Sequence, residues 1–161
     1  MYKVLVLLAI FVGVANCYVA IERKDISVLG GIGIPEIPGF KPPFRDCGGA
    51  GTLIDVRIIG WDGDEYFTPG QLYTYELTFM PSTAGPVSLK QEYCFNGGFC
   101  MGIIDVDLPI SNVQPGFATT VRFSFTPNDI LSGQSIELKT SIVHSTNLLV
   151  EVCVALEIKI R

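Results

Sequence analysis

From Gly51 to the end of the chain, apolar and polar residues alternate with period 2. Ile54, Val56 and Ile58 are separated by Asp55 and Arg57, and Tyr73, Tyr75, Leu77 and Phe79 by Thr74, Glu76 and Thr78. Val87, Leu89 and Tyr93 oppose Ser88, Lys90 and Glu92; Ile104, Val106, Leu108 and Ile110 oppose Asp105 and Asp107. Val121, Phe123 and Phe125 oppose Arg122 and Ser124; Ile136, Leu138 and Ile142 oppose Glu137, Lys139 and Ser141. Val154, Leu156, Ile158 and Ile160 oppose Ala155, Glu157 and Lys159. Successive side chains of a strand point to opposite faces, so each run reads as a strand with one buried and one wet face. The seven runs are separated by turn sequences such as Asp62-Gly63-Asp64, Pro69-Gly70, Asn96-Gly97-Gly98 and Ser132-Gly133. No helical period competes. The pattern predicts an all-β, immunoglobulin-like antiparallel β-sandwich of about seven strands.

The beginning of the chain is different. Lys3 precedes an apolar run from Val4 to Val14, and Ala15 and Cys17 are small residues placed for cleavage after Cys17. The run is too short to span a bilayer and reads as a secretory signal peptide over 1–17. Residues 18–45 are dominated by Gly30-Gly31-Ile32-Gly33-Ile34-Pro35 and Pro38-Gly39-Phe40-Lys41-Pro42-Pro43. Such a sequence suits neither a helix nor a central strand, and it reads as an extended arm or pro-segment ahead of a domain over 46–161. A chain starting at Pro43 is expected to fold.

An exported chain changes the cysteine arithmetic. Of five cysteines, Cys17 leaves with the leader, and Cys47, Cys94, Cys100 and Cys153 imply two bridges with three possible pairings. The Asn96-Gly97-Gly98 turn can bring Cys94 and Cys100 together, which leaves Cys47 and Cys153 to join the two ends of the domain. Zinc fits poorly, for want of a second close cysteine pair or clustered histidines. The 11 basic residues face 16 acidic ones, with no basic run, so neither nucleic acid nor an anionic membrane surface is an expected electrostatic partner.

Candidate chemistry is sparse. His144 is the only histidine; it lies near a strand end without a nucleophile elbow and reads as a structural or rim residue. Asp62, Asp64 and Glu65 lack the spacing of a calcium loop and read as solvated turn acids. Glycines 30, 31 and 33 open no helix and make no phosphate cradle. No catalytic constellation, metal site or cofactor is expected. What stands out is the aromatic content of the inward faces: Tyr73, Tyr75, Phe79, Tyr93, Phe123 and Phe125. From the pattern alone an ordinary filled aromatic core is the favoured reading, although period 2 does not distinguish it from sheets held apart around a ligand.

The cysteine framework bears on that choice. Asp46-Cys47-Gly48-Gly49 before the first strand resembles the start of an ML domain, the lipid-recognition family whose members include a secreted sterol carrier and the group-two mite allergens. Cys94-x5-Cys100 resembles that family's internal hairpin bridge, and the stretch from Ser135 to Ile158, with Cys153 near its end, is similar to its last two strands. The resemblance covers about Asp46 to Ile160. It implies bridges Cys47–Cys153 and Cys94–Cys100, and sheets splayed around a sterol, a fatty acid or a phospholipid acyl chain. The inward-facing Tyr73, Tyr75, Phe79, Tyr93, Val106, Phe123, Phe125, Ile142 and Leu156 are then the expected lipid contacts, the resemblance itself matching best over Phe123–Pro127 and placing Ile130 and Leu131 near a pocket mouth, with a hydroxyl of Tyr73 or Tyr93 supplying specificity near an opening. Two stretches depart from the family. Trp61–Tyr66 replaces a small disulfide of the sterol carrier, and Leu89–Tyr93 replaces a proline-rich run, so pocket residues of that run are not carried over. The resemblance implies a non-enzymatic carrier, secreted or in the endosomal–lysosomal lumen, that delivers lipid to a membrane or receptor. A lipid-presenting recognition protein and a structural sandwich with a filled core are the alternatives.

Overall fold

The structure, a computed structural model, describes residues 19–23, 39–95 and 98–161, without the side chains of 19–23 and 109–111. The expected leader with Cys17, most of the glycine–proline run and the Asn96-Gly97 pair lie outside the described residues.

The seven expected strands are present as β3 (Thr52–Ile59), β5 (Tyr73–Met80), β6 (Gly85–Phe95), β7 (Phe99–Val113), β8 (Thr119–Phe125), β9 (Ser135–His144) and β10 (Val150–Ile160). Three shorter ones join them: β1 (Val19–Arg23), β2 (Phe44–Gly48) and the two-residue β4 (Tyr66–Phe67). One sheet has the order β1-β8-β5-β3 and the other β2-β10-β9-β6-β7, all antiparallel, with β4 added to β10 in parallel. Their inner faces meet in one apolar core that includes Val56, Ile58, Leu77 and Val121 from the first sheet and Leu89, Leu138, Ile142 and Val154 from the second. The outer face of the first sheet is polar. Thr74 bonds Ser124 and Thr78 bonds Thr120 across the strands, and the buried Glu76 pairs with Arg122.

Two parts of the segment expected to lie apart from the sheets are paired in them. Residues 19–23 run antiparallel to β8, with Val19 opposite Phe123, and Phe44 opens β2 opposite Leu156. Gly and Pro dominate only the middle of that segment; its two ends have enough ordinary side chains and free N–H groups to join a ladder. Phe40 also bridges Ile58 through both of its backbone groups.

The alternation slips where strands bulge. The pairing of β3 with β5 shifts between Leu53 and Asp55, so Leu53 packs against the core and Ile54, expected inside, is exposed. A bulge adds one residue to one strand and reverses the parity beyond it.

Both bridges form with the expected partners. Cys47–Cys153 ties β2 to β10 across a separation of 106 residues, and Cys94–Cys100 ties the β6–β7 hairpin across 6. Between Cys47 and β3 the chain crosses close over β10. Ala50 N–H and Gly51 N–H bond the carbonyls of Val150 and Glu151. A Cβ on Gly49 would sit 2.3 Å from the Glu151 carbonyl oxygen, and Gly49 has φ +139°, so glycine is required there on two counts.

Candidate functional site

A cavity of about 220 Å³ lies at the edge of the sandwich where Ile58 of β3 and residues 156–159 of β10 come together. Ile58 of β3 and Leu156 and Ile158 of β10 form its floor, each from the inner face of its sheet. Pro42 and Pro43 close one side and the Trp61–Phe67 loop the other. That loop is fixed by its own chemistry: Trp61 Nε1–H donates to the Asp64 carbonyl at 2.8 Å, and Asp62 accepts from the Asp64 N–H at 3.1 Å. At the rim Lys159 pairs with Glu65 and Arg161 with Asp64. The Glu65 carboxylate holds the Lys159 ammonium above its ordinary range. The acids expected to be solvated in the turn stay at the surface and pair there with rim cations.

From this mouth an aromatic series runs inward. Trp61 stacks on Phe67 at 5.5 Å between ring centroids, and Phe67 meets Tyr73 edge-on at 4.9 Å and Phe125 at 5.9 Å. Deeper, Tyr75 stacks on Phe123 at 4.8 Å. Offset and edge-on pairs at these distances each add about 0.5–1.5 kcal/mol beyond area burial. Phe67, itself 4% exposed, is the partition between the cavity and the interior row.

Of the residues assigned from the sequence, Tyr73, Tyr75, Phe79, Phe123, Ile142 and Leu156 are buried between the sheets. Tyr93, Phe125 and Leu131 pack half-buried against that core. Val106 and Ile130 do not belong to it. Val106 is paired with Leu89 and shares its face, but β7 is the edge strand and Val106 is 38% exposed. Ile130 is 80% exposed on a 3₁₀ turn (Asp129–Leu131) capped by Asn128. Of the full set, only Leu156 borders the cavity directly. Trp61, Phe67, Pro42 and Pro43 were missed because they come from turns and a two-residue strand, where period 2 carries no signal.

The hydroxyls also divide differently from expectation. Tyr73 Oη accepts the Thr68 N–H at 2.9 Å and is committed to the loop. Tyr93 is half-buried, and desolvation pushes its phenol up. Tyr75 Oη is fully buried and has no partner within hydrogen-bond geometry among the described residues. Burial drives its pKa far above the ordinary value, and the nearby Thr140 hydroxyl opposes this. An unsatisfied buried hydroxyl costs about 1–3 kcal/mol. Thr140 accepts a long bond from Gln91 Nε2 at 3.4 Å, and both of those side chains are buried as well.

A second buried polar cluster lies elsewhere, where β10 begins. Glu151 Oε1 meets His144 Nε2 at 2.7 Å and accepts from Ser82 Oγ at 3.0 Å, and Oε2 accepts the Ser82 N–H at 2.7 Å. Thr83 Oγ1 lies 2.8 Å from the same histidine nitrogen. Desolvation pushes the Glu151 carboxyl up, but the hydrogen bonds from Ser82, His144 and Thr83 outweigh it and hold the group below its ordinary range. Both pairing side chains are sealed, His144 at 2% and Glu151 at 0% exposure, so this pair offers no face to a substrate and anchors the β5–β6 turn, whose Ser82 and Thr83 are exposed. His144 is structural, as its sequence position suggested. Glu151 escaped notice because the β9–β10 ladder bulges between Val150 and Val152, which turns its side chain off the strand's alternation.

No family model and no curated protein matches the chain. A solved structure does: a Niemann–Pick type C2 protein from Japanese carpenter ant, 16% identical, with a TM-score of 0.58. The likeness is one of fold. It spans 99% of the Niemann–Pick type C2 chain and 74% of this one, so the present chain holds essentially the whole of that sandwich. The immunoglobulin-like two-sheet architecture is therefore shared with the Niemann–Pick type C2 protein, in accord with the ML-like fold that the cysteine framework suggested.

Proposed function

We propose that this chain is a non-enzymatic carrier that holds one apolar lipid, a sterol, a fatty acid or a phospholipid acyl chain, between its two sheets. The observation that carries the reading is the cavity between Ile58, Leu156 and Ile158, continued inward by Phe67, Tyr73 and Phe125. Burying apolar surface there stabilises a ligand by about 25 cal/mol per Å² without any bond being made or broken. The ML resemblance and the shared fold support it. At about 220 Å³ the cavity is smaller than the roughly 300–1,000 Å³ of common small-molecule sites, so on this reading Phe67 and Phe125 move aside as ligand enters. Two disulfides suit an oxidising compartment, and we read the protein as secreted or resident in the endosomal–lysosomal lumen, passing lipid to a membrane or receptor.

Organic extraction of the purified protein followed by mass spectrometry should recover lipid at close to one molecule per chain. Replacing Phe125 with aspartate should abolish uptake of a fluorescent sterol or fatty acid while the variant still folds by circular dichroism. Normal uptake by a folded Phe125→Asp chain refutes the pocket. A structural sandwich with a filled core is the second reading, favoured by the complete burial of Tyr75, Phe79 and Phe123. Recovery of no lipid from native preparations, together with no uptake, decides for it.

A further inference from the structure

At 15 residues β7 is the longest described strand, and it lies at the edge of the second sheet, where among the described residues it pairs with β6 alone. An edge strand offers its free backbone groups to another strand, and proteins usually protect such edges with charge or proline. The stretch Phe99–Ile104 has neither. It is apolar and open instead: Phe99 is 66% exposed, Met101 48% and Ile103 38%. The ladder with β6 slips once, between the pairs Gln91–Ile104 and Glu92–Gly102, which leaves Ile103 as the extra residue of a bulge. Ile104 and Val106 share the inner face with Gln91 and Leu89, and Met101 and Phe99 share it with Tyr93 and Phe95. Cys100, Gly102 and Asp105 lie on the outer face with Cys94, Glu92 and Lys90, and the bulge puts Ile103 there too. From 99 to 106 the faces therefore run in, out, in, out, out, in, out, in. That order is the same in both directions.

We propose that β7 is a self-association edge: two copies of the chain pair it antiparallel about a twofold axis between Gly102 and Ile103, joining their second sheets into one. In that register Phe99 faces Val106 of the second copy and Met101 faces its Ile104, all on the inner side. On the outer side Cys100 faces Asp105 and Gly102 faces Ile103. Every pair keeps its face, as a contact of one patch with itself requires. The bulge is what selects the partner. A regular strand laid along β7 falls out of phase on one side of Ile103, because one inserted residue reverses the parity beyond it. A second copy has the same insertion at the matching place. A Cβ added to Gly102 would meet nothing within 4 Å, which leaves room for the opposing Ile103. The charges agree as well. A chain of net charge −5 repels its own copy, yet the one acid in this stretch, Asp105, is paired with Lys90 and lies opposite Cys100 rather than another acid. The cavity at Ile58 and Leu156 lies toward the other edge of the sandwich, so each copy keeps it open and the inference stands apart from the lipid reading. An eight-residue ladder offers less than the roughly 800 Å² per partner of a stable complex, so the dimer is weak and depends on concentration.

Sedimentation equilibrium of the full chain with both bridges formed should show monomer and dimer in exchange, with a dissociation constant between about 10 µM and 1 mM. Phe99→Lys and Val106→Glu should each weaken the dimer about tenfold, because by symmetry each sets a charge against an apolar side chain at two places. Ile103→Lys, which brings two ammonium groups together at the axis, should weaken it at least as much. All three positions are exposed, so the variants should keep the wild-type circular dichroism. The double variant Phe99→Lys/Val106→Glu should recover the dimer to within about threefold of wild type, since the register sets each new lysine opposite a new glutamate. A wild-type chain that is still monomeric at about 1 mM overturns the proposal. Single variants that dimerise as wild type does also overturn it, because the contact then lies elsewhere. A double variant no tighter than its parents removes the register, and with it the argument from the bulge.

Discussion

Replacement of Glu151 by leucine should cost the folded chain about 3–5 kcal/mol, the loss of a few hydrogen bonds to a charged group at about 1.5–3 kcal/mol each. The carboxylate is the common acceptor for Ser82 and Thr83, through both backbone and hydroxyl, and is in contact with His144. Without it the donors of Ser82 and Thr83 lose their shared acceptor beside the buried His144. Urea titration of the two chains measures the difference, and a loss below about 1 kcal/mol would mean that the cluster is incidental. The same group makes stability depend on acid. Its folded pKa is depressed below the ordinary value of 4.5, so its contribution is complete above that value and is lost as pH falls through the folded one. The melting temperature should therefore hold from neutral pH to about 5 and decline below 4.5. In Glu151→Gln that part of the decline should disappear, leaving only what the other carboxylates contribute.

A chain with serine at both 47 and 153 should lose nearly as much. In the chain-entropy account, a bridge closing about 100 residues contributes about 4.7 kcal/mol, and the Cys47–Cys153 bridge spans 106. The Cys94–Cys100 bridge spans 6, and by the same relation contributes about 2 kcal/mol. The long-bridge variant should thus melt on the order of 10 °C below the parent and the hairpin variant roughly half as far. Differential scanning calorimetry of the two double-serine chains ranks them. The reverse ranking would show that strand pairing in the β6–β7 hairpin, and not closure entropy, sets the value of each bridge.

How far the residues foretold this structure depends on the kind of signal they carry. The seven long strands were legible because each repeats an inward apolar residue often enough to fix a face, as in Tyr73–Phe79 or Val154–Ile160. The two bridges followed from a turn between Cys94 and Cys100 together with the family resemblance. Faces beyond a bulge were not legible: Ile54 and Glu151 each sit where the ladder slips by one residue, and period 2 keeps no record of a slip. Position within a sheet was not legible either. Val106 has the parity of a core residue, but strand order puts it at an edge. The cavity lining was hidden for a third reason, since Pro42, Trp61 and Phe67 are brought to Ile58 and Leu156 only by tertiary contact.

The spacing of the cysteines has a consequence during synthesis. Cys47 leaves the ribosome well before its partner at Cys153, and Cys94 and Cys100 emerge between them as competitors for it. Those two are six positions apart, and closing so short a loop is far faster than waiting for a strand that has not yet been made. Early closure of the hairpin bridge takes both of these competitors out of play, so Cys47 reaches the end of translation unspent by them. In this way the small bridge, which adds less to the finished fold, protects the fidelity of the large one.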